Sequence, residues 1–218
     1  MAESLLGAHS RFCLRHGAAQ RYEPEVSVFA SVPDHHNEAG FVDLCSLVAE
    51  GETVAVVGDE VGVTPGFSVL FHGVGYQMVG RKVEGLIDRD VEPLGAAHVD
   101  QMLDLVERTK PGPFVARTHE LGKYFGIFED NTLIAMAGQR MNPGIGHEIS
   151  AVCTDPAFVR RGLAERLIRH LVAIDRDAGK VPFLHVAQPN IGARTLYERL
   201  GFTHRREMVF TRLERTSN

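Results

Sequence analysis

A short segment in the second half of the chain has the residue types that bind a phosphate anion. Residues 155–164 read Asp-Pro-Ala-Phe-Val-Arg-Arg-Gly-Leu-Ala and lie between a β-branched run and a stripe of leucines at helical spacing. The first backbone N–H groups of a helix have no partner, and the helix dipole favours negative charge there. Gly162 and Ala164 are small enough to let a phosphate approach, and Arg160 and Arg161 add positive charge. The alternative is a solvated basic helix start without a ligand.

A second segment, residues 188–202, follows a short apolar strand at 183–186. It reads Gln-Pro-Asn-Ile-Gly-Ala-Arg-Thr-Leu-Tyr-Glu-Arg-Leu-Gly-Phe, in which Asn190 occupies an N-cap position and Gly201 a typical helix end. The two segments are joined by a helix and a strand. This order predicts a βαβ unit, whose two strands are parallel.

Together the two segments resemble the GNAT superfamily of CoA-dependent acyltransferases. The first is similar to its pyrophosphate-binding loop, [QR]-x-x-G-x-[GA]. The second is similar to its N-x-x-A-x-x-L-Y-x-x-x-G-F helix, matched at Asn190, Ala193, Leu196, Tyr197, Gly201 and Phe202. The resemblance covers residues 86–218, and residues 135–138 and 148–152 resemble the FR47-like branch. One position departs from the family pattern, because the first loop residue, usually Gln or Arg, is Val159 here.

The resemblance implies that acetyl-CoA is a co-substrate bound where the two parallel strands separate, near Val152 and His185. The amides of Val152 and Thr154 are expected to bond the pantetheine arm, and the amides of residues 161–164 the pyrophosphate. Asn190 is expected either to contact the pantetheine or to act only as an N-cap. The residues predicted to bind CoA are Val152, Cys153, Thr154, Val159, Arg160, Arg161, Gly162, Leu163, Ala164, Asn190 and Tyr197.

Two residues are candidates for proton transfer. Glu148 opens the central strand where the family often places its base, and His147 is a nearby alternative; Glu148 as an exposed strand-end glutamate is the competing interpretation. Tyr197 matches the family tyrosine that protonates the leaving CoA sulfur, and its competing interpretation is a core tyrosine.

The elements of the second half fit this resemblance. A helix is expected around residues 99–106, and strands at 124–128, 132–140 and 148–154 form an antiparallel meander. A helix at 162–177 and one or two strands at 202–211 complete it. We therefore expect an α/β (α+β) fold of the GNAT type, a mostly antiparallel sheet with a central parallel strand pair flanked by helices.

The first half predicts a smaller N-terminal α/β lobe. Strands are expected at 26–29, 53–57, 67–71 and 76–79, and a helix around residues 41–48. We place the domain boundary at residue 85, with the lobe over 1–85 and the acyltransferase domain over 86–218. The lobe is interpreted as a degenerate GNAT-like half that packs on the second domain and helps to wall the acceptor site.

Composition limits the class of protein. The net charge is −5, which disfavours a nucleic-acid partner, and the three cysteines do not suggest a disulfide framework. No apolar stretch approaches membrane-spanning length, so a cytoplasmic protein without a membrane partner is expected. Histidines and cysteines lack zinc spacing, so no metal is predicted. The oligomeric state is expected to be monomer or homodimer.

The leading hypothesis is an enzyme that transfers an acetyl or other short acyl group from acyl-CoA to an amine by direct attack in a ternary complex. The rival is a non-catalytic acyl-CoA sensor with the same fold, for which the Val159 departure leaves room. An unrelated nucleotide binder is disfavoured because no G-x-x-x-x-G-K-[ST] or strand-linked G-x-G-x-x-G occurs.

Overall fold

The computed structural model describes residues 1–217, which fold into five α-helices and eleven strands together with short 3₁₀ turns. The helices are α1 (Ala2–Leu6), α2 (Glu38–Cys45), α3 (Val99–Thr109), α4 (Leu163–Asp177) and α5 (Ile191–Leu200). The strands are β1 (Cys13–His16), β2 (Ala19–Tyr22), β3 (Ala30–Ser31), β4 (Thr53–Gly58), β5 (Phe67–Val79), β6 (Glu92–Leu94), β7 (Tyr124–Glu129), β8 (Thr132–Gln139), β9 (Gly146–Thr154), β10 (Val181–Ala187) and β11 (Thr203–Arg215). None of these helices is both long and apolar enough to cross a membrane.

Eight strands form one sheet in the order β4-β11-β5-β10-β9-β8-β7-β6. Every pair in it is antiparallel except β9 and β10, which lie side by side at its centre and run parallel. α4 covers one face of this centre and α3 packs against the other, each through a stripe of buried apolar side chains. The predicted fold class is confirmed.

The parallel pair separates along its length. The register runs from Val181 opposite Gly146 to Leu184 opposite Ile149, and there the pairing ends. β9 continues for five further residues and β10 for three. A bulge in β9 where it faces β8, with Ala151 at a φ of +51°, bends the strand at this point. The two strands therefore open into a V-shaped cleft.

The first 85 residues share the large sheet with the rest of the chain. β5 is hydrogen-bonded between β10 and β11, and β4 pairs with β11 at the edge. β1, β2 and β3 form a small separate sheet. The residue-85 boundary does not coincide with a break in the sheet, and the interpretation of this half as a degenerate GNAT repeat stays a prediction.

The first segment of the chain packs on the sheet face opposite α4. Arg117 Nη1 lies 2.7 Å from Glu23 Oε2, and Thr118 Oγ1 donates to the Val26 carbonyl at 2.9 Å. Phe29 and Phe183 lie in one apolar cluster with the N-terminal residues. These contacts place the first segment of the chain over the face from which the Glu148 side chain emerges.

The structure differs from the prediction in three places in the first half of the chain. The strand expected at 26–29 is not formed: Val26 ends a turn, Phe29 makes an isolated bridge to Ala55, and β3 begins only at Ala30. The β1–β2 hairpin was not predicted. The strands expected at 67–71 and 76–79 are one continuous strand, because Gly73 and Gly75 make room for aromatic rings rather than turning the chain: a Cβ on Gly75 would lie 2.7 Å from Phe210 Cε2.

Candidate active site

The loop before α4 is shaped by three local features. Asp155 Oδ1 accepts the Ala157 N–H at 2.8 Å and caps a short 3₁₀ turn. Arg160 and Gly162 then adopt left-handed conformations, with φ of +64° and +76°. Glycine adopts such a φ without steric cost, whereas a residue with a Cβ adopts it at a cost in energy. The loop then leads directly into α4, which begins at Leu163.

The start of α4 has free hydrogen-bond donors. The first backbone bond of the helix runs from Arg166 N–H to Gly162 O at 3.1 Å, so the three preceding N–H groups have no helical acceptor. No side chain caps this end. A Cβ placed on Gly162 would meet no atom within 4 Å. Free amides beside open space fit a phosphate group.

The side chains around these amides are exposed. Val159 is 48% exposed and offers no polar contact. Arg161 Nη2 lies 2.9 Å from Glu129 Oε1, and its guanidinium stands over the Phe158 ring. Such an exposed ion pair is weak and is readily exchanged for a phosphate. Arg160 is also exposed. Both arginines are placed to approach an anion at the helix start.

β9 presents backbone donors to the cleft. The Asp155 N–H donates to the Ile134 carbonyl of β8 at 2.8 Å. Because backbone groups alternate along a strand, the N–H groups of Thr154 and Val152 point to the other side, toward the separating β10. The Cys153 backbone faces β8 instead. Burial raises the pKa of the Cys153 thiol to about 11, which makes it a poor nucleophile.

A groove extends from the helix start along the outer side of α4. It has a volume of about 340 Å³. Its lining residues are Leu86, Asp88, Arg161, Gly162, Glu165, Arg166 and Arg169. Arg166 is held there by Asp88 at 2.6 Å. The groove continues the phosphate loop, so a ligand larger than a phosphate has room to follow the helix surface.

Glu148 lies on the face opposite α4 and is fully buried. Arg140 holds it in a two-pronged ion pair, with Nη2–Oε1 and Nε–Oε2 distances of 2.7 and 3.0 Å. The His185 Nδ1 lies 2.7 Å from Oε1. Burial disfavours the charged carboxylate, but Arg140 and His185 outweigh burial and hold the Glu148 pKa well below its ordinary value. Glu148 is therefore charged, and it is not the exposed strand-end residue that the competing interpretation described.

This lowered pKa predicts an acid-sensitive fold. A carboxyl with a depressed folded-state pKa stabilises the fold fully above its unfolded value, near 4.5, and the contribution is lost as the pH falls toward the folded value. We expect urea unfolding to show a larger fall in stability between about pH 5 and about pH 3 for the wild type than for Glu148→Gln, whose side chain does not titrate. Equal falls for the two proteins would contradict the charged pair.

The sequence pattern did not predict that His185 and its neighbours form a group. The Gln77 Nε2 lies 3.0 Å from His185 Nε2, and Arg205 Nη1 donates to Gln77 Oε1. Gln77, His185 and Arg205 come from three separate strands, β5, β10 and β11, so their spacing in the sequence is uninformative. His147, the alternative base, lies on the other face, where its Nδ1 is 2.7 Å from Asp175 Oδ1 of α4.

Tyr197 and Asn190 belong to α5. Asn190 Oδ1 accepts the Ala193 N–H at 3.1 Å, so its N-cap role is present. The Tyr197 ring packs in the apolar cluster that contains Leu163, the first residue of α4. Burial raises the pKa of its hydroxyl to about 12. The hydroxyl oxygen is not a fully buried atom that lacks a hydrogen-bond partner. It is a neutral donor at physiological pH.

No group of three or more histidine, cysteine or acidic side chains within residues 1–217 is arranged to hold a metal ion.

Comparison with known proteins identifies the family of the chain. The model of the FR47-like protein family matches residues 124–211. The N-alpha-acetyltransferase RimI of Mycobacterium tuberculosis is 34% identical over 99 residues, which is 42% of this chain and 61% of RimI. The chain thus spans less than two thirds of that relative.

Solved structures extend the likeness to the whole chain. A protein of Novosphingobium aromaticivorans described as a GNAT-family acetyltransferase is 34% identical, with a TM-score of 0.91 over 99% of this chain and 96% of its own. A GCN5-related N-acetyltransferase from Kribbella flavida, 14% identical, shares the fold with a TM-score of 0.62 over 100% of this chain and 95% of its own. The chain belongs to the GNAT family of acetyltransferases.

Proposed function

We propose that the protein transfers an acetyl group from acetyl-CoA to an amine by direct attack in a ternary complex. The observation that carries the proposal is the cleft between β9 and β10, which begins beyond Ile149 and Leu184 and has the uncapped start of α4 at its open end. Strand amides and helix amides there supply donors for a long, amide-containing and phosphate-containing ligand.

In this proposal the amides at residues 161–164 bind the pyrophosphate and those of Val152 and Thr154 bind the pantetheine. Arg160 and Arg161 provide the positive charge that Val159 lacks. Asn190 keeps its N-cap role, which orients α5 and with it Tyr197. The acyl group then lies near the point at which the strands separate.

We propose an α-amine as the acceptor. This choice rests on the similarity to RimI, which is named an N-alpha-acetyltransferase. Deprotonating a lysine-like amine with a pKa of about 10.4 near neutral pH costs about 4 kcal/mol, whereas an α-amine with a pKa of about 8 costs less than about 1.4 kcal/mol. An α-amine therefore needs only a modest base, on the face where Glu148 lies.

Tyr197 is proposed as the acid that protonates the leaving sulfur. A thiol has a pKa of about 8.5. Because burial raises the pKa of the Tyr197 hydroxyl to about 12, full transfer to the thiolate is uphill by about 5 kcal/mol, and a thiolate already leaves readily. We expect Tyr197→Phe to lower kcat by about tenfold to a hundredfold and to change CoA affinity little, because the ring remains. Steady-state kinetics with chemistry shown to be rate-limiting measure this. An unchanged kcat in the folded variant would leave Tyr197 a packing residue.

The proposed activity is tested by thiol release from acetyl-CoA. Three acceptors are compared: a peptide with a free α-amine, the same peptide with a blocked N-terminus and a free lysine, and a small polyamine. We expect release with the first peptide above all. CoA binding without release with any amine would favour the non-catalytic sensor. Preference for the lysine peptide would refute the α-amine assignment alone.

A further inference from the structure

We propose that His185 takes the proton from the attacking amine, while Glu148 orients the histidine ring and balances its charge. The proposal rests on the proposed acetyl transfer. In the step, the amine nitrogen forms a C–N bond with the acetyl carbon and the C–S bond breaks. The amine proton passes to His185 Nε2, and the departing thiolate is protonated separately by Tyr197 or water.

The surroundings of Glu148 favour this indirect role. Its side chain has no solvent-accessible surface, and both carboxylate oxygens accept from Arg140. A proton added to Glu148 would disrupt a buried pair of hydrogen bonds, which is costly. His185, at 7% side-chain exposure, contacts the same carboxylate at Oε1 and is the more exposed of the two side chains. A proton from the cleft therefore meets the histidine before it meets the carboxylate.

The hydrogen-bond chain assigns the proton on the His185 ring. Arg205 has only donors, so the Gln77 atom it contacts is the oxygen, Oε1. The Gln77 atom facing His185 Nε2 at 3.0 Å is then the amide nitrogen, which donates. His185 Nε2 therefore accepts and Nδ1–H donates to Glu148. This is the arrangement in which a carboxylate orients a basic imidazole.

The His185 ring also lies at the point in the sheet where β9 and β10 separate. Leu184 is the last β10 residue paired with β9, and His185 is the first residue beyond it. Side chains alternate along β10, so His185 leaves the face opposite α4, as Glu148 does on β9. The amide of Gln77 fills the position that an amine N–H needs next to Nε2. An acceptor amine is expected to displace it, which makes Gln77 a positioning residue.

The groups that face the ring are few. Glu148 lies on β9 and Gln77 on β5, and the rings of Phe183 on β10 and Phe210 on β11 each lie 5.8 Å from it edge-on. The charged groups around it are Glu148 with Arg140 behind it, Arg205, which donates to Gln77, and the Met1 amino group, which interacts electrostatically with Glu148. An activity that depends on protonation of His185 should therefore respond to Glu148 and Gln77.

The test is the pH dependence of kcat/KM with acetyl-CoA and the α-amine peptide. His185→Asn is expected to lose at least about a hundredfold in kcat/KM, together with the acidic limb of the profile. Gln77→Leu removes the donor that stabilises the neutral ring, so the midpoint of that limb should move to higher pH. His72→Asn, an exposed histidine on the same β5, is the control and should match the wild type.

The outcomes separate this proposal from the proposed function. If the wild type is active but His185→Asn retains its rate within about threefold and keeps the acidic limb, the role of His185 is refuted and acetyl transfer stands. If His185→Asn does not fold, Gln77→Leu decides, and an unmoved midpoint refutes the proposal. A wild type that binds CoA but acetylates no amine overturns both.

Discussion

Gly162→Val is expected to weaken CoA binding by at least a hundredfold, about 2.7 kcal/mol. Gly162 has a φ of +76°, which a β-branched residue adopts only under strain. The added side chain would also fill the open space beside the free amides of α4. The backbone strain displaces the amides, and the added side chain blocks the approach of a phosphate to them. Calorimetric titration with CoA measures the change.

Gly179→Val is a matched control at the other end of α4. Gly179 also has a positive φ, of +68°, and open space around its Cβ position. The control variant should lose a similar amount of stability and retain full CoA affinity. If Gly162→Val binds CoA as the wild type does, the phosphate-loop assignment is wrong. If both variants lose affinity equally, the loss comes from the helix and not from the loop.

Arg140→Met is expected to destabilise the fold by about 3–5 kcal/mol. Arg140 and Glu148 form a buried pair, and removing one partner leaves an uncompensated charge in the interior. Arg140→Met combined with Glu148→Leu should recover most of the loss, because the buried charge is then absent. Urea unfolding at neutral pH measures both variants.

The comparison variant is Arg199→Met. Its ion pair with Glu165 is exposed, 66% for the arginine side chain, and is expected to contribute no more than about 1 kcal/mol. A loss at Arg140 no larger than at Arg199 would show that the buried pair contributes little. A double variant as unstable as Arg140→Met alone would assign the loss to packing of the guanidinium, which stands over the Phe29 ring.

The βαβ unit was predictable because its signals are local. The leucine stripe and the flanking turn residues placed α4 within one residue of its observed start and at its observed end. Asn190 and Gly201 likewise bounded α5. The same local reasoning failed at Gly73 and Gly75, since a glycine that admits a neighbouring ring looks the same in sequence as one that turns the chain.

The polar group around Glu148 was not predictable, for a different reason. Arg140 and His185 lie 8 and 37 residues from Glu148 in the chain, and only the strand register brings them together. The sequence indicated Glu148 through its family resemblance, but not the partners that decide its charge. For the same reason the sequence could not predict that β5 joins the sheet of the second half, because the pairing of β5 with β10 depends on long-range contacts.

The most direct test of the central claim is a crystal structure with CoA. We predict the ligand between β9 and β10, with its pyrophosphate on the amides of Leu163 and Ala164, its pantetheine along Val152 and Thr154, and its sulfur near His185 and Tyr197. CoA bound at any other place, with the cleft empty at saturating ligand concentration, would contradict the account.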